Sequence, residues 1–322
     1  RRQRQMCIRD SLSLFPQLIA GPIVQYKDVE NQLRSRSVTL EDLGYGVERF
    51  IIGLSKKVLL ANTLGSFHNM VVNMPDSTQT TLAAWIGIIC FTFQIYFDFS
   101  GYSDMAIGLG RMFGFKFKEN FDYPYISKSV TEFWRRWHIS LGSWFREYLY
   151  IPLGGNRVTP IRHIFNLIVV WSLTGLWHGA NYTFIIWGLY FGVLLIFEKY
   201  FLFRVLDRIP NKIRVSLTYI TVVISWVFFS SDTASEAFIY IKKMFFMGGV
   251  PFANADTHYI FASSILIMMI SAVCSTPLVS EAFEILKSKS AWFANVLLVL
   301  LLILSTASLI YTSYNPFLYF RF

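Results

Sequence analysis

Ile164-Phe165-Asn166-Leu167-Ile168-Val169-Val170-Trp171-Ser172-Leu173-Thr174-Gly175-Leu176-Trp177-His178-Gly179-Ala180 is the stretch on which the reading of this chain turns. Residues 164–177 carry no charged side chain, so they read as a helix in an apolar medium. A histidine then closes the run. A titratable group in that place is costly unless it has a partner or a task, and inside membranes such groups mark functional sites. A second histidine has a similar setting, Phe133-Trp134-Arg135-Arg136-Trp137-His138.

Composition extends the same argument. Of the 322 residues, 54% are hydrophobic and only 15% charged. Soluble domains carry about 25% charged residues, so a polytopic, all-α membrane protein is expected. The net charge of +9 raises nucleic acid as a partner. The cations, however, fall in short clusters between apolar runs, such as Lys56-Lys57, Arg135-Arg136 and Lys242-Lys243. That pattern suits cytoplasmic loops and lipid headgroups, and no nucleic-acid partner is expected. Cys7, Cys90 and Cys274 match no metal or redox spacing.

Hydropathy predicts spans at 82–99, 164–177, 182–203, 215–229, 260–273 and 292–311. Residues 14–24, broken by Pro16, Gly21 and Pro22, read as a bent or re-entrant piece. Residues 25–39 read as an exposed connection, 43–64 as a partly buried or tilted amphipathic helix bearing Glu48, Arg49, Lys56 and Lys57, and 236–247 as another amphipathic piece. Residues 105–117 are glycine-rich, as where helices approach closely. The segment 123–153 is too charged to span and too aromatic to be a solvated loop, which suits helices dipping into the membrane. The tail 314–322 reads as an interfacial anchor. The chain lacks an initiating Met, and its first dozen residues read as foreign to the rest; a non-native or disordered start over 1–12 and one helical membrane domain over 13–322 are expected.

If 131–147 is one helix, Trp134, His138, Leu141 and Phe145 share a face, and Arg135 and Arg136 flank it as anion ligands. Gly179 lets the helix end and gives access to His178, while Asn181 stands ready to orient its ring. Two histidines facing one cavity suit general-base work on a hydroxyl. The plainer reading makes His138 a residue of an interfacial helix that merely hydrogen-bonds a neighbour, and His178 a satisfied helix-end histidine. Asp98 and Asp104 either line the same polar cavity or pair with Arg111, Arg135 or Arg136. His68, His163 and His258 read as surface residues, and the 151–157 turn as a plain loop with Arg157 available to phosphate. No HExxH and no GxSxG occurs, so neither a metal site nor a serine hydrolase is expected.

Phe133-Trp134-Arg135-Arg136-Trp137-His138-Ile139-Ser140-Leu141, Tyr148-Leu149-Tyr150-Ile151-Pro152-Leu153-Gly154-Gly155-Asn156-Arg157 and Gly175-Leu176-Trp177-His178-Gly179-Ala180 together resemble the membrane-bound O-acyltransferase (MBOAT) family. Phe15-Pro16-Gln17-Leu18-Ile19-Ala20-Gly21-Pro22-Ile23 and Asn315-Pro316-Phe317-Leu318-Tyr319-Phe320 are similar to its bacterial alginate-acetylating branch. The resemblance implies a fold of spanning, tilted and re-entrant helices in the bacterial inner membrane, preceded by further helices that this chain lacks. It implies His178 as the general base and His138 as the second catalytic histidine, shaping the tunnel. Trp134, Arg135, Arg136, Trp137, Trp177, Asn181, Asp98 and Asp104 are then the candidate substrate-binding residues. No bound cofactor is expected. The implied donor is acetyl-CoA or another acyl thioester, and the acceptor is an exopolysaccharide or cell-wall glycan, reached directly or through a periplasmic acetyltransferase. A proton-path transporter and a noncatalytic scaffold are the readings from other classes.

Overall fold

Polar caps set where the helices begin. Thr39 and Asp42 close a capping box, and Thr80, Ser129, Asn181, Thr233 and Asn254 each accept a backbone N–H of a first turn. A computed structural model describes residues 22–311, the side chains of Phe203 and Arg204 aside; no strand occurs among them. The expected re-entrant piece and the tail anchor lie largely or wholly outside these residues.

The chain forms α1 (Tyr26–Arg34), α2 (Leu40–Ser55) and α3 (Asn62–Val72), the last two joined by a π turn over Lys56–Ala61. Next come α4 (Thr81–Met112), a 3-10 turn at Pro124–Ile126, α5 (Val130–Arg136) and α6 (Ile139–Phe145). Then come α7 (Pro160–His178), α8 (Tyr182–Phe197), α9 (Phe203–Leu206), α10 (Asn211–Ser230) and α11 (Ala234–Met244). The remainder is α12 (Ala255–Cys274), α13 (Leu278–Lys289) and α14 (Ala291–Tyr311).

Five of these are long and apolar enough to cross a membrane: α4, α8 with its π turn to Leu202, α10, α12 and α14. On α14, Leu300, Ile303 and Leu304 are half exposed or more, a surface suited to lipid. Helix α7 falls outside the five, because Arg162, His163 and Asn166 in its first turns and His178 at its end dilute the apolar window seen in the sequence. At 19 residues it is still about 28 Å long.

Residues 25–39 are more than an exposed connection. Within them α1 buries Val29 completely and is tied down by Lys118–Asp28 at 2.7 Å and Lys27–Glu147 at 2.8 Å. The glycine-rich part of α4 does pack closely: a Cβ at Gly101 would lie 2.7 Å from the Gly53 carbonyl, and one at Gly108 would lie 2.6 Å from that of Gly46. Across this same contact the acids of α4 find their partners. Asp104 receives Arg49 at 2.7 Å and Lys56 at 2.7 Å, while Asp98 pairs with the buried Lys57. The expected donors are engaged elsewhere: Arg111 pairs with Asp42, and Arg136 with Asp122 and Glu132. Lys56 and Lys57, the successive residues that open the π turn, thus reach acids almost two turns apart on α4.

The two ends of the helical domain differ. Arg214 donates to the Lys128 carbonyl and Tyr200 to the Pro160 carbonyl, so the starts of α7 and α10, the end of α8 and the connection after α4 share one end. Lys116, Lys118, Lys128, Arg157, Arg162 and Lys212 lie there. The opposite end joins Asn254 to the Thr78 carbonyl and Asn181 to the Asp232 carbonyl.

Candidate active site

Helix α7 runs from the basic end and delivers His178 toward the other. It lies against α8 because glycines stand at the contact: a Cβ at Gly175 would collide with the Phe184 backbone, and one at Gly188 with that of Trp171. The tight pairing places the His178 ring 5.0 Å from Trp187 and, from α10, 5.4 Å from Phe229. Gly179 is extended, with φ 167°, a conformation open to any residue. What requires glycine is space, since a Cβ there would stand 2.6 Å from the Phe184 ring.

His138 arrives from the basic end on a short path. Glu198 accepts from Val130 N–H at 2.7 Å and from Thr131 N–H at 3.1 Å, which fixes the start of α5. Seven residues, about 10 Å, then lead inward. The expected continuous helix over 131–147 does not form. Trp137 is extended and His138 is left-handed, with φ 45° and ψ 55°, before α6 begins. A non-glycine residue there costs about 1–3 kcal/mol, and such strain gathers at functional sites. The break is held by the segment 120–122, where Asp122 N–H donates to the Arg136 carbonyl at 2.9 Å and Ile139 N–H to the Asn120 carbonyl at 2.9 Å. As a result Trp134, Leu141 and Phe145 do not form one stripe with His138.

The two histidines meet across Trp177, whose ring lies 6.1 Å from His138 and 4.9 Å from His178. His138 is 3% exposed, between Phe99 at 4.6 Å and Phe121 at 6.5 Å. Burial first, and the neighbouring His178 second, hold its pKa well below the ordinary histidine range. The ring is therefore neutral at physiological pH. Its Nδ1 lies 3.2 Å from Asn120 Oδ1. That oxygen only accepts, so Nδ1 carries the proton and Nε2 presents a lone pair. His178 is only partly buried, so a ligand reaches it more readily.

The other candidates divide into two groups. Trp134 packs on Trp171 at 4.6 Å and Trp187 at 5.6 Å, and the indole N–H groups of Trp134 and Trp187 are buried with no hydrogen-bond partner. Donors left unpaired in an aromatic wall are ready for a ligand oxygen. Trp177 and Asn181 adjoin His178, but Asn181 accepts from Thr183 N–H and donates to Asp232, so it serves as a helix cap. Trp137 points into the core, 5.0 Å from Trp226. Arg135 is exposed, and Arg136 is neutralised by two acids. Asp98 and Asp104 belong to the α2–α4 contact.

Asn120, Ser140, Phe99, Phe121, Trp187 and Phe229 complete the site and were not singled out in the sequence. Taking the charged aromatic segment to begin at Tyr123 excluded Asn120 by three positions. Two of the supposed surface histidines are buried. His68 bonds the Gly87 carbonyl at 3.0 Å, and His163 lies between the hydroxyls of Tyr150 and Tyr200, 2.9 Å from each. His258 is exposed, as expected. Among the described residues no His, Cys, Asp and Glu group has the geometry of a metal site.

A cleft at the basic end runs between Gln25, Lys116, Lys118 and Glu147, and reaches Ile139 and Ser140 beside His138. The cleft thus borders the two residues that follow His138, and His178 has a partly open edge nearer the other end.

Comparison with known proteins gives the same direction. The family model for membrane-bound O-acyltransferases matches residues 12–241. A probable alginate O-acetylase AlgI of Pseudomonas putida is 39% identical over 332 residues, 97% of this chain and 68% of the relative. Its counterpart in Pseudomonas aeruginosa is 46% identical over 239 residues, 74% of this chain and 45% of the relative. A peptidoglycan O-acetyltransferase of Helicobacter pylori is 39% identical over 245 residues, 74% of this chain and 46% of the relative. The chain spans about half the length of several curated relatives that it matches. With an all-helical architecture, apolar spans and a histidine pair in an aromatic wall, this chain belongs to the membrane-bound O-acyltransferase family.

Proposed function

We propose that this chain is the catalytic part of a bacterial inner-membrane O-acyltransferase that moves an acetyl group from a thioester to a hydroxyl of an envelope or secreted glycan. The carrying observation is the meeting of His138 and His178 across Trp177, one at the break after α5 and the other at the end of α7. Cytoplasmic connections are enriched in Lys and Arg, so the basic end faces the cytoplasm. The cleft at that end, where Lys116 and Lys118 stand among Asp28, Glu119 and Glu147, then receives the donor, acetyl-CoA or another acyl thioester. The acceptor approaches His178 from the periplasmic side, as a glycan hydroxyl or through a periplasmic acetyltransferase. The names of the relatives, alginate O-acetylase and peptidoglycan O-acetyltransferase, support acetyl as the group and a glycan as its destination.

The chemistry rests on the two ring environments. The partly open His178 is the base that a hydroxyl can reach, and removing its proton makes the oxygen a nucleophile. His138 is neutral and held through Nδ1, so it borders the thioester with a fixed lone pair and no competing charge. Trp134 and Trp187 offer N–H donors to ligand oxygens. The test is labelled acetyl thioester supplied to membranes bearing the protein, with thiol release and labelled glycan measured together. Both should appear and both should vanish in His178→Ala while the protein stays in the membrane. Glycan labelling at the wild-type level in that variant would refute the assignment.

A further inference from the structure

We propose that Asn120 is a catalytic residue whose Nδ2–H donates to the thioester carbonyl oxygen as that oxygen becomes an oxyanion, a role that rests on the acyltransferase reading above. Three groups converge on Asn120 Oδ1: Ser140 N–H at 3.1 Å, Ser140 Oγ at 2.9 Å and His138 Nδ1 at 3.2 Å. A backbone N–H can only donate, so the atom facing Ser140 is the oxygen and the amide orientation is fixed. Nδ2 is therefore the other branch of a residue that is 1% exposed, and it has no hydrogen-bond partner. A buried amide N–H left without an acceptor is costly, and native structures keep few of them.

Its position gives it a use. Oδ1 and Nδ2 share one carbon, so the unpaired N–H lies within a side chain's breadth of the His138 imidazole. The rings of Phe99 and Phe121 exclude water there, which strengthens any hydrogen bond that forms. The cleft from the basic end touches Glu119, Ile139 and Ser140, the chain neighbours of Asn120 and His138. A thioester entering by that route brings its carbonyl to this amide.

The step balances. The acceptor oxygen attacks the carbonyl carbon and a C–O bond forms. The carbonyl electron pair moves onto the oxygen held by Nδ2–H, and the hydroxyl proton passes to the imidazole of His178. As the oxyanion collapses the C–S bond breaks, and the departing thiolate takes the proton, giving ester and thiol.

Asn120→Asp separates this role from simple orientation of His138. It keeps an oxygen for Ser140 and His138 and replaces the N–H donor with a second carboxylate oxygen. The proposal predicts a kcat lower by about 10²–10³ with little change in the KM for the thioester, the size expected for one lost oxyanion donor. If Asn120 only orients the ring, the carboxylate orients it as well or better, and a kcat at or above the wild-type value would overturn the proposal. Should that variant fail to accumulate in the membrane, Asn120→Ala with added small amides gives a second test. Formamide, which has N–H donors, should restore part of the rate, and dimethylformamide, which has none, should not; an equal response to both would overturn the role. A wild-type protein that transfers acyl groups from no thioester would overturn the acyltransferase reading and this role with it. An active wild type matched by Asn120→Asp would overturn the role alone.

Discussion

Asp104→Asn should be among the most destabilising single changes on α4. The carboxylate is 7% exposed and binds Arg49 through two nitrogens at 3.0 and 2.7 Å and Lys56 at 2.7 Å. Removing one member of a buried ion pair costs about 3–5 kcal/mol, because the remaining charge is left uncompensated. Here both cations keep about a quarter of their surface in solvent, and Arg49 retains Glu119. The loss therefore sits at the low end, about 3 kcal/mol. At about 2–4 °C per kcal/mol for domains of a few hundred residues, melting should fall by about 6–12 °C. Glu119→Gln is the matched control, since its carboxylate is 50% exposed and an exposed pair contributes about 0–1 kcal/mol. Thermal unfolding of the purified protein in detergent reads both variants. A shift for Asp104→Asn no larger than for Glu119→Gln would refute the argument that this network clamps α2 to α4.

Two further outcomes concern the site and its supports. Gly179→Ala places a Cβ 2.6 Å from the Phe184 ring, which packs on Phe229 at 5.0 Å, so acyl transfer should fall together with about 1–3 kcal/mol of stability; wild-type rate and melting temperature would contradict it. His163 is 2% exposed, and burial first, then Lys199, lowers its pKa from the ordinary value near 6.5. The folded state thus resists a proton that the unfolded chain accepts, so this stability is complete above about pH 6.5 and declines as pH falls below it. Melting temperature against pH should decline less steeply between pH 7 and 5.5 in His163→Gln, and parallel curves would refute the assignment.

The helical class and the membrane spans were legible because apolar length is a property of sequence alone, and 82–99, 215–229 and 292–311 all fall inside observed helices. The histidine pair was legible for a related reason: a titratable group beside an apolar run stands out wherever it folds. The break at His138 was not, since an i, i+4 pattern from Trp134 reads as one helix. Only the pairing of 120–122 with 136–139 stops it, and that is a tertiary contact. Partners of buried charges were hidden in the same way. Arg135 and Arg136 are near in sequence to the histidine, yet Arg49 from α2 and Lys56 and Lys57 from the π turn after it reach the acids of α4 across a contact that local spacing does not announce. Asn120 was missed because its importance lies in an unpaired N–H, which exists only in the folded chain.

The central claim is that His138 and His178 form one acyl-transfer site, and a double-mutant cycle tests it most directly. Thioester-dependent acylation of the glycan would be measured for His138→Ala, His178→Ala and the double variant, each at matched membrane levels. Residues acting as a unit lose function together, so each single change should remove most of the transfer and the double variant should be no worse than the poorer single one. Losses that multiply, or a His178→Ala protein that transfers at the wild-type rate, would contradict the account.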